Sequence, residues 1–142
     1  PADTTFTIAK ASRLRDGNDV TLIATGVMVA RALAAAENLE NDGINARVIN
    51  LSTIKPLDKE ELLQAAIETG ALVTAEDHSV LGGMGSAVAE FLAENHPVPI
   101  SFVGVRDRFG KSGEPDELAR LFGLTAEDIH KAAKSVIARK KA

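Results

Sequence analysis

Several residue types that carry chemistry or anchor contacts are missing from this chain. Cysteine is absent, which excludes disulfide bonds and thiol catalysis. A chain without cysteine also suits a reducing compartment, so we expect a cytoplasmic protein. Tryptophan and tyrosine are absent too, and the aromatic residues are five phenylalanines. Because large aromatic side chains usually dominate binding energy, an interface of this chain would rest mainly on aliphatic residues.

Long apolar runs and a strong charge of one sign are missing as well. No run approaches the roughly 18 apolar residues of a membrane span, and no signal peptide is visible, so we expect no membrane partner. The net charge is −4, and the basic residues are dispersed except for Arg139, Lys140 and Lys141. This distribution lacks the basic patch of a nucleic-acid-binding protein, so we expect no nucleic-acid partner.

Short apolar runs alternate with helical patterns along most of the chain. Continuous runs with β-branched residues predict buried strands over residues 20–25, 46–51, 71–75 and 100–105. Helical patterns follow the first three strands and end at Gly43, at Gly70 and before Pro97. This alternation predicts a single α/β domain over residues 1–142, with a parallel sheet covered on both faces.

Local signals place several element ends. Asp58 with Glu61 forms a capping-box pattern that opens a helix over 59–69, and Thr125 with Asp128 opens the last helix in the same way. Pro115 marks another helix start. Residues 6–14 alternate apolar and polar side chains and predict an edge strand. The turn at residues 16–18 links that segment closely to the strand at 20, so it could pair antiparallel within the sheet.

Two strand ends carry residues that could form a binding site. In open α/β sheets, ligands bind beyond the carboxyl ends of the strands, near the point where the strand order reverses. One such end carries Gly26, and the other is the stretch TAEDHSVLGGMGSAVAE over residues 74–90. Within it, the candidate residues are Glu76, Asp77, His78, Gly82, Gly83 and Gly85. Glycines allow close backbone approach, and a helix N-terminus offers N–H groups to an anion, so a phosphate or acid–base site is one interpretation.

The same residues also allow a structural interpretation, as an alternative to a phosphate or acid–base site. Glycines permit tight helix–sheet contact, and acidic residues are favoured near a helix start. GGMG matches neither the dinucleotide fingerprint nor a P-loop. His78 has no nucleophile beside it, and no histidine shows metal-ligand spacing, so we expect a structural or interface role for His78 and no metal site. The loop RDRFGKSGE over 106–114 is locally basic, but its acids favour a solvated loop.

Three blocks of sequence follow one another in a specific order. The first combines DVTLIATG (19–26) with KPLD (55–58), the second is VTAEDHSVLGGMGSAVAE (73–90), and the third is RFGKSGEPDELARLFGLTAEDI (108–129). Together they resemble the C-terminal domain of the thiamine-diphosphate-dependent transketolase family, over about residues 10–137. The triplet EDH and the block SGEPDEL resemble transketolase more than 1-deoxyxylulose-5-phosphate synthase or the beta subunit of 2-oxoacid dehydrogenases. The C-terminal part of the split, two-subunit transketolases is the nearest in pattern.

The resemblance implies a fold and a role. The fold is a three-layer α/β/α domain whose mixed, mostly parallel five-stranded sheet contains one antiparallel strand. The role is that of a scaffold and dimerisation domain in an enzyme that transfers a two-carbon ketol unit between sugar phosphates. Pyrimidine- and diphosphate-binding domains, in the same or a separate chain, would be its partners and would hold the thiamine diphosphate and a divalent metal.

The resemblance places no catalytic, cofactor-binding or metal-binding residue on this chain. We therefore expect the 142 residues alone to be inactive, and we expect Pro1 to begin a fragment of a longer protein. Two alternatives remain: a related thiamine-diphosphate enzyme of the two classes named above, or a non-catalytic domain that binds an anion or nucleotide near Gly26 and Gly82.

Overall fold

The described part of the molecule is a mixed sheet with helices on both faces. A computed structural model describes residues 11–52, 56–79, 83–105 and 123–140. Within these residues the elements are, in chain order, β1 (Ser12–Arg15), β2 (Val20–Ala24), α1 (Met28–Asn41), β3 (Ala46–Asn50), α2 (Lys59–Thr69), β4 (Leu72–Ser79), α3 (Met84–Asn95), β5 (Ile100–Val105) and α4 (Ala126–Lys140). No helix among the described residues is long and apolar enough to cross a bilayer.

The five strands lie in the order β1-β3-β2-β4-β5. Strands β2 to β5 are parallel to their neighbours, whereas β1 pairs antiparallel with β3 at one edge. This confirms the mixed five-stranded sheet with one antiparallel strand. The structure places the edge strand at Ser12–Arg15, which overlaps the last three residues of the predicted segment 6–14 and ends one residue beyond it, and Leu14 within it is exposed. Residues 6–10 lie outside the described residues.

Alternate residues of the central strands pack into two separate apolar clusters, one on each face of the sheet. On one face, Leu22 and Val73 pack with the buried sides of α1 and α4. On the other face, Ile23 and Leu72 pack with α2 and α3. Strands buried on both faces read as continuous apolar runs, which is why these segments lack the alternation of a half-exposed strand. The predicted three-layer α/β/α arrangement is confirmed.

The turn at residues 16–18 has a second role besides reversing the chain. Because β3 lies between β1 and β2, the connection must cross the start of β3. A Cβ on Gly17 would lie 2.4 Å from the carbonyl carbon of Ala46 and 2.6 Å from the amide nitrogen of Arg47. The buried Arg47 side chain donates from Nε to the Gly17 carbonyl oxygen over 3.1 Å. Gly17 is therefore required by close approach between two backbones.

The helix ends follow their local signals, with one exception. The Asp58 carboxylate accepts from the Glu61 amide over 3.1 Å, and Gly70 ends α2 at a φ of 71°. The Glu61 carboxylate, which would complete that box, accepts instead from Arg13 on β1. The predicted box of Thr125 and Asp128 is confirmed in both directions, at 2.9 and 3.1 Å.

The boundary of β4 extends beyond its prediction. The apolar run predicts residues 71–75, but the strand continues to Ser79, which pairs with Val105. The step of four residues along β4 from Ala75 to Ser79 matches a step of only two along β5, from Val103 to Val105, so the polar residues continue the strand through an irregularity in its register. The predicted helix start at Pro115 and the loop 106–114 lie outside the described residues.

Candidate functional site

The sheet topology brings the two candidate strand ends together. From β2 the chain first crosses to β3 on one side and then to β4 on the other, so the strand order reverses between β2 and β4. Ala24 lies opposite Ala75 in the ladder, and the Thr25 amide donates to the Ala75 carbonyl over 3.3 Å. Gly26 and Glu76 therefore follow neighbouring residues at the carboxyl edge, where α/β sheets hold their ligands.

Gly26 turns the chain from β2 into α1. Its φ is +57°, in the left-handed region, and a Cβ built on it would meet no atom within 4 Å. The Met28 and Val29 amides then donate to the carbonyls of Thr25 and Gly26, each over 3.1 Å. The glycine is therefore explained by backbone conformation.

Glu76 is a buried carboxylate that caps α3. Its side chain points from β4 to the start of the helix and is 1% exposed. Oε1 accepts from the Met84 amide and Oε2 from the Gly85 amide, each over 2.7 Å. Two N–H groups that α3 could not satisfy internally therefore have a charged acceptor, placed at the positive end of the helix dipole.

Gly85 lets α3 approach the sheet at this point. A Cβ on it would lie 2.7 Å from Thr74 Oγ1, 2.8 Å from Phe102 Cδ1 and 3.0 Å from Glu76 Oε2. Any side chain here would force these three side chains to shift or would push the helix away from β4 and β5, which would lengthen its hydrogen bonds to Glu76. The hydrogen bonds of Glu76 to the start of α3 thus depend on the lack of a side chain at Gly85.

The remaining candidates are less involved, as far as the structure describes them. Gly83 precedes α3 with φ −92° and ψ −160°, which other residues also adopt. Asp77 is exposed and makes an interaction of its own. The His78 backbone continues β4, while its side chain and Gly82 lie outside the described atoms.

The geometry determines which chemistry this edge can support. A phosphate at the start of α3 would need the amides of Met84 and Gly85, but the Glu76 carboxylate already occupies them. Glu76 itself is too buried to reach a substrate from solution. Within the described residues, no group of three or more His, Asp or Glu side chains could hold a metal ion. Within the described residues, the arrangement of Glu76 and Gly85 serves to order the start of α3.

Sequence reasoning missed two residues of this arrangement. Thr74 lies below Gly85, and its Oγ1 is buried without a hydrogen-bond partner. Phe102 on β5 forms the other wall against Gly85. Both occur inside apolar strand runs, where only the pairing of β4 with β5 brings them under the helix.

Comparison with known proteins gives one consistent family. Residues 9–129 match the family model described as transketolase, C-terminal domain. The chain is 58% identical, over 135 residues, to the 6-deoxy-6-sulfo-D-fructose transketolase subunit SqwH of Clostridium sp. (strain MSTE9), covering 95% of this chain and 42% of that subunit. It is 40% identical to a 1-deoxy-D-xylulose-5-phosphate synthase of Heliobacterium modesticaldum (strain ATCC 51547 / Ice1), covering 94% of this chain and 21% of that enzyme.

A solved structure shows the same fold at similar identity. A split-gene transketolase, described as an inactive β4 tetramer, superposes with a TM-score of 0.92 at 47% identity. The match covers 99% of this chain and 46% of that one. The chain thus spans less than half the length of the relatives that it matches.

Proposed function

Because the chain belongs to the transketolase C-terminal domain family, we propose that it is the C-terminal section of a transketolase that transfers a two-carbon ketol unit between sugar phosphates. The observation that carries the proposal is the 58% identity, over 95% of this chain, to a transketolase subunit. The proposal extends to a single domain over residues 1–142, in a cytoplasmic enzyme of carbohydrate metabolism.

The chemistry would belong to other parts of the enzyme. Thiamine diphosphate supplies the carbanion chemistry of ketol transfer when it is bound, and the protein orients the reactants. The described residues do not fit this cofactor, since the α3 amides that could hold a diphosphate are taken by Glu76 and no acidic cluster could hold its metal. The pyrimidine- and diphosphate-binding domains are therefore the proposed partners that hold cofactor and metal, and this chain supplies scaffold and homo-oligomer contacts.

The candidate residues have a structural role in this proposal. Gly26, Glu76, Gly83 and Gly85 shape the carboxyl edge, and Asp77, His78 and Gly82 would contribute to a turn or to a contact with another domain. The buried position of Glu76 and the close approach at Gly85 support this assignment. A histidine that only shapes the surface should tolerate His78→Ala without loss of ketol transfer in the assembled enzyme.

Ketol transfer by the assembled enzyme tests the function. The complete subunit and its partner domains, loaded with thiamine diphosphate and a divalent metal, should transfer a two-carbon unit from a donor to an aldose phosphate. Both a ketose phosphate and 6-deoxy-6-sulfo-D-fructose belong among the donors, because the Clostridium relative is named for the latter. A folded, cofactor-loaded assembly that transfers no ketol unit from either donor would refute the proposal.

Synthesis of 1-deoxyxylulose 5-phosphate is the second candidate. It is supported by the 40% identity to a synthase, but the identity to the transketolase subunit is higher, at 58% over a similar share of this chain. Formation of 1-deoxyxylulose 5-phosphate by the same assembly would reverse the order of the two candidates. An anion-binding domain is less well supported, because a carboxylate fills the α3 half of the crevice.

A further inference from the structure

The direction of β1 determines where the chain enters the domain. Because β1 is antiparallel to β3, its first residue lies opposite the last residue of β3, with Ser12 facing Asn50. Residues upstream of Ala11 therefore reach the sheet at its carboxyl edge, the edge that carries Gly26 and Glu76. The amino edge lies at the other end of β1.

Two contacts hold the chain at this point. The Ala11 amide donates to Asp58 Oδ2 over 2.6 Å, while Asp58 Oδ1 caps α2. Two residues later, Arg13 donates to both carboxylate oxygens of Glu61, over 2.8 and 3.1 Å. The buried Asp58 thus serves the helix and the incoming chain together. Whatever precedes Ala11 leaves from a fixed position beside the first turn of α2.

An exposed apolar side chain lies on the same edge. Among the described residues, three large apolar side chains are exposed, namely Leu14, Val27 and Ile67. Val27 is 59% exposed and follows Gly26 in the turn from β2 to α1. The strand order places the end of β2 two strand spacings from the start of β1, which is about 10 Å. Ile67 is 58% exposed but lies near the end of α2, towards the opposite edge.

We propose that the carboxyl edge around Val27 and the Ala11–Asp58 contact receives the upstream part of the same polypeptide. A single exposed valine is ordinary on a protein surface. Its position is what matters here, since it lies at the same edge of the sheet as the fixed point where the chain arrives. The chain spans 42% of its Clostridium relative and matches a C-terminal domain, so more than half of such a subunit would precede it. The inference rests on the proposed function only in taking this chain as the C-terminal section of a longer subunit.

Two asparagine variants of the complete subunit test this surface. Val27→Asn puts a polar amide into the proposed contact, and because Val27 is 59% exposed and asparagine adopts its φ of −64° and ψ of −18° without strain, the substitution should not harm α1. Ile67→Asn is the matched control, since it changes an equally exposed side chain at the other edge. The readout is limited proteolysis within residues 1–10, with hydrogen exchange of β2 as the check that the domain stays folded.

We expect cleavage of the Val27→Asn subunit to be about tenfold faster than that of the parent, because a buried amide without a partner typically costs that factor or more. The Ile67→Asn subunit should be cleaved at the parent rate. Equal rates for all three proteins would overturn the proposal, as would a larger effect of Ile67→Asn. A Val27→Asn subunit that loses its oligomeric state at unchanged cleavage would assign the surface to a second copy instead. None of these readouts needs enzyme turnover. An inactive enzyme whose upstream segment is protected from proteolysis would therefore refute the proposed ketol transfer but not the proposed docking surface.

Discussion

The Glu76 cap is open to a direct test by substitution with glutamine. Glu76→Gln keeps the size and shape of the side chain but replaces one carboxylate oxygen with an NH₂ group. In the native protein the two oxygens accept from the amides of Met84 and Gly85 at 2.7 Å. Glutamine can accept from only one of these amides, and it presents a donor to the other. Because the site is 1% exposed, water has little access to repair the mismatch.

Three terms decide the size of the effect. The bond that remains changes from a charge-assisted to a neutral one, which loses about 1 kcal/mol. The other amide is left buried without an acceptor, which costs about 1–3 kcal/mol. The neutral side chain is easier to bury than a carboxylate, which offsets part of this loss. We therefore expect the free energy of unfolding to fall by about 2–3 kcal/mol.

Urea unfolding, followed by circular dichroism, measures this change through the transition midpoint. Glu90→Gln is the control, because Glu90 is an exposed residue of the same helix and its substitution should alter stability by no more than about 0.5 kcal/mol. The melting temperature of Glu76→Gln should fall by roughly 3 °C for each kcal/mol lost. If both variants unfold at the parent midpoint, the carboxylate does not stabilise α3 through its two hydrogen bonds.

Three further changes probe other contacts. Gly17→Ala should cost about 3 kcal/mol in urea unfolding, because its Cβ would meet backbone atoms of Ala46 at 2.4 Å that cannot move aside. Gly85→Ala should cost less, about 1–2 kcal/mol, because side-chain atoms surround it and alanine favours the helix; the reverse order would contradict both assignments. The hydrogen bond that Asp42 accepts from His130 lowers the pKa of Asp42, and the nearby charge of Lys134 lowers it further. The stability that these contacts add to the protein is therefore present above the ordinary carboxyl pKa and is lost as the pH falls through the lowered pKa of Asp42 in the folded protein. Asp42→Asn should therefore lose less stability than the parent between about pH 5 and pH 2, and parallel losses would contradict this.

The fold was predictable where its signals are local. The strands at Val20 and Ile100 are short apolar runs between breaks, and α2 begins and ends where Asp58 and Gly70 place it. The position of β1 was less accessible, because its pairing with β3 depends on contacts between residues far apart in the chain. The extension of β4 to Ser79 was not predictable either, since polar residues after an apolar run look like a loop until the partner strand is known.

The candidate site could be located from the sequence, but its purpose could not be read there. The glycines and acids of residues 74–90 fit either an anion site or a helix cap, because both use the same free amides at the start of α3. Helix caps are usually recognised within three residues of the helix start, whereas Glu76 lies eight residues before Met84. Only the course of the chain from β4 to α3 brings this carboxylate back to the amides.

An internal carboxylate changes what the carboxyl edge can bind. Glu76 is covalently tied to the strand beneath α3, so it competes for the amides without the entropy that a free phosphate loses on binding. Its negative charge would also repel a second anion at the same helix end. The α3 side of the crevice is therefore closed to phosphates for as long as the helix stays capped. Among the described residues of this edge, the turn with Val27 and the point where the chain arrives at Ala11 suit contact with protein better than contact with a charged small molecule.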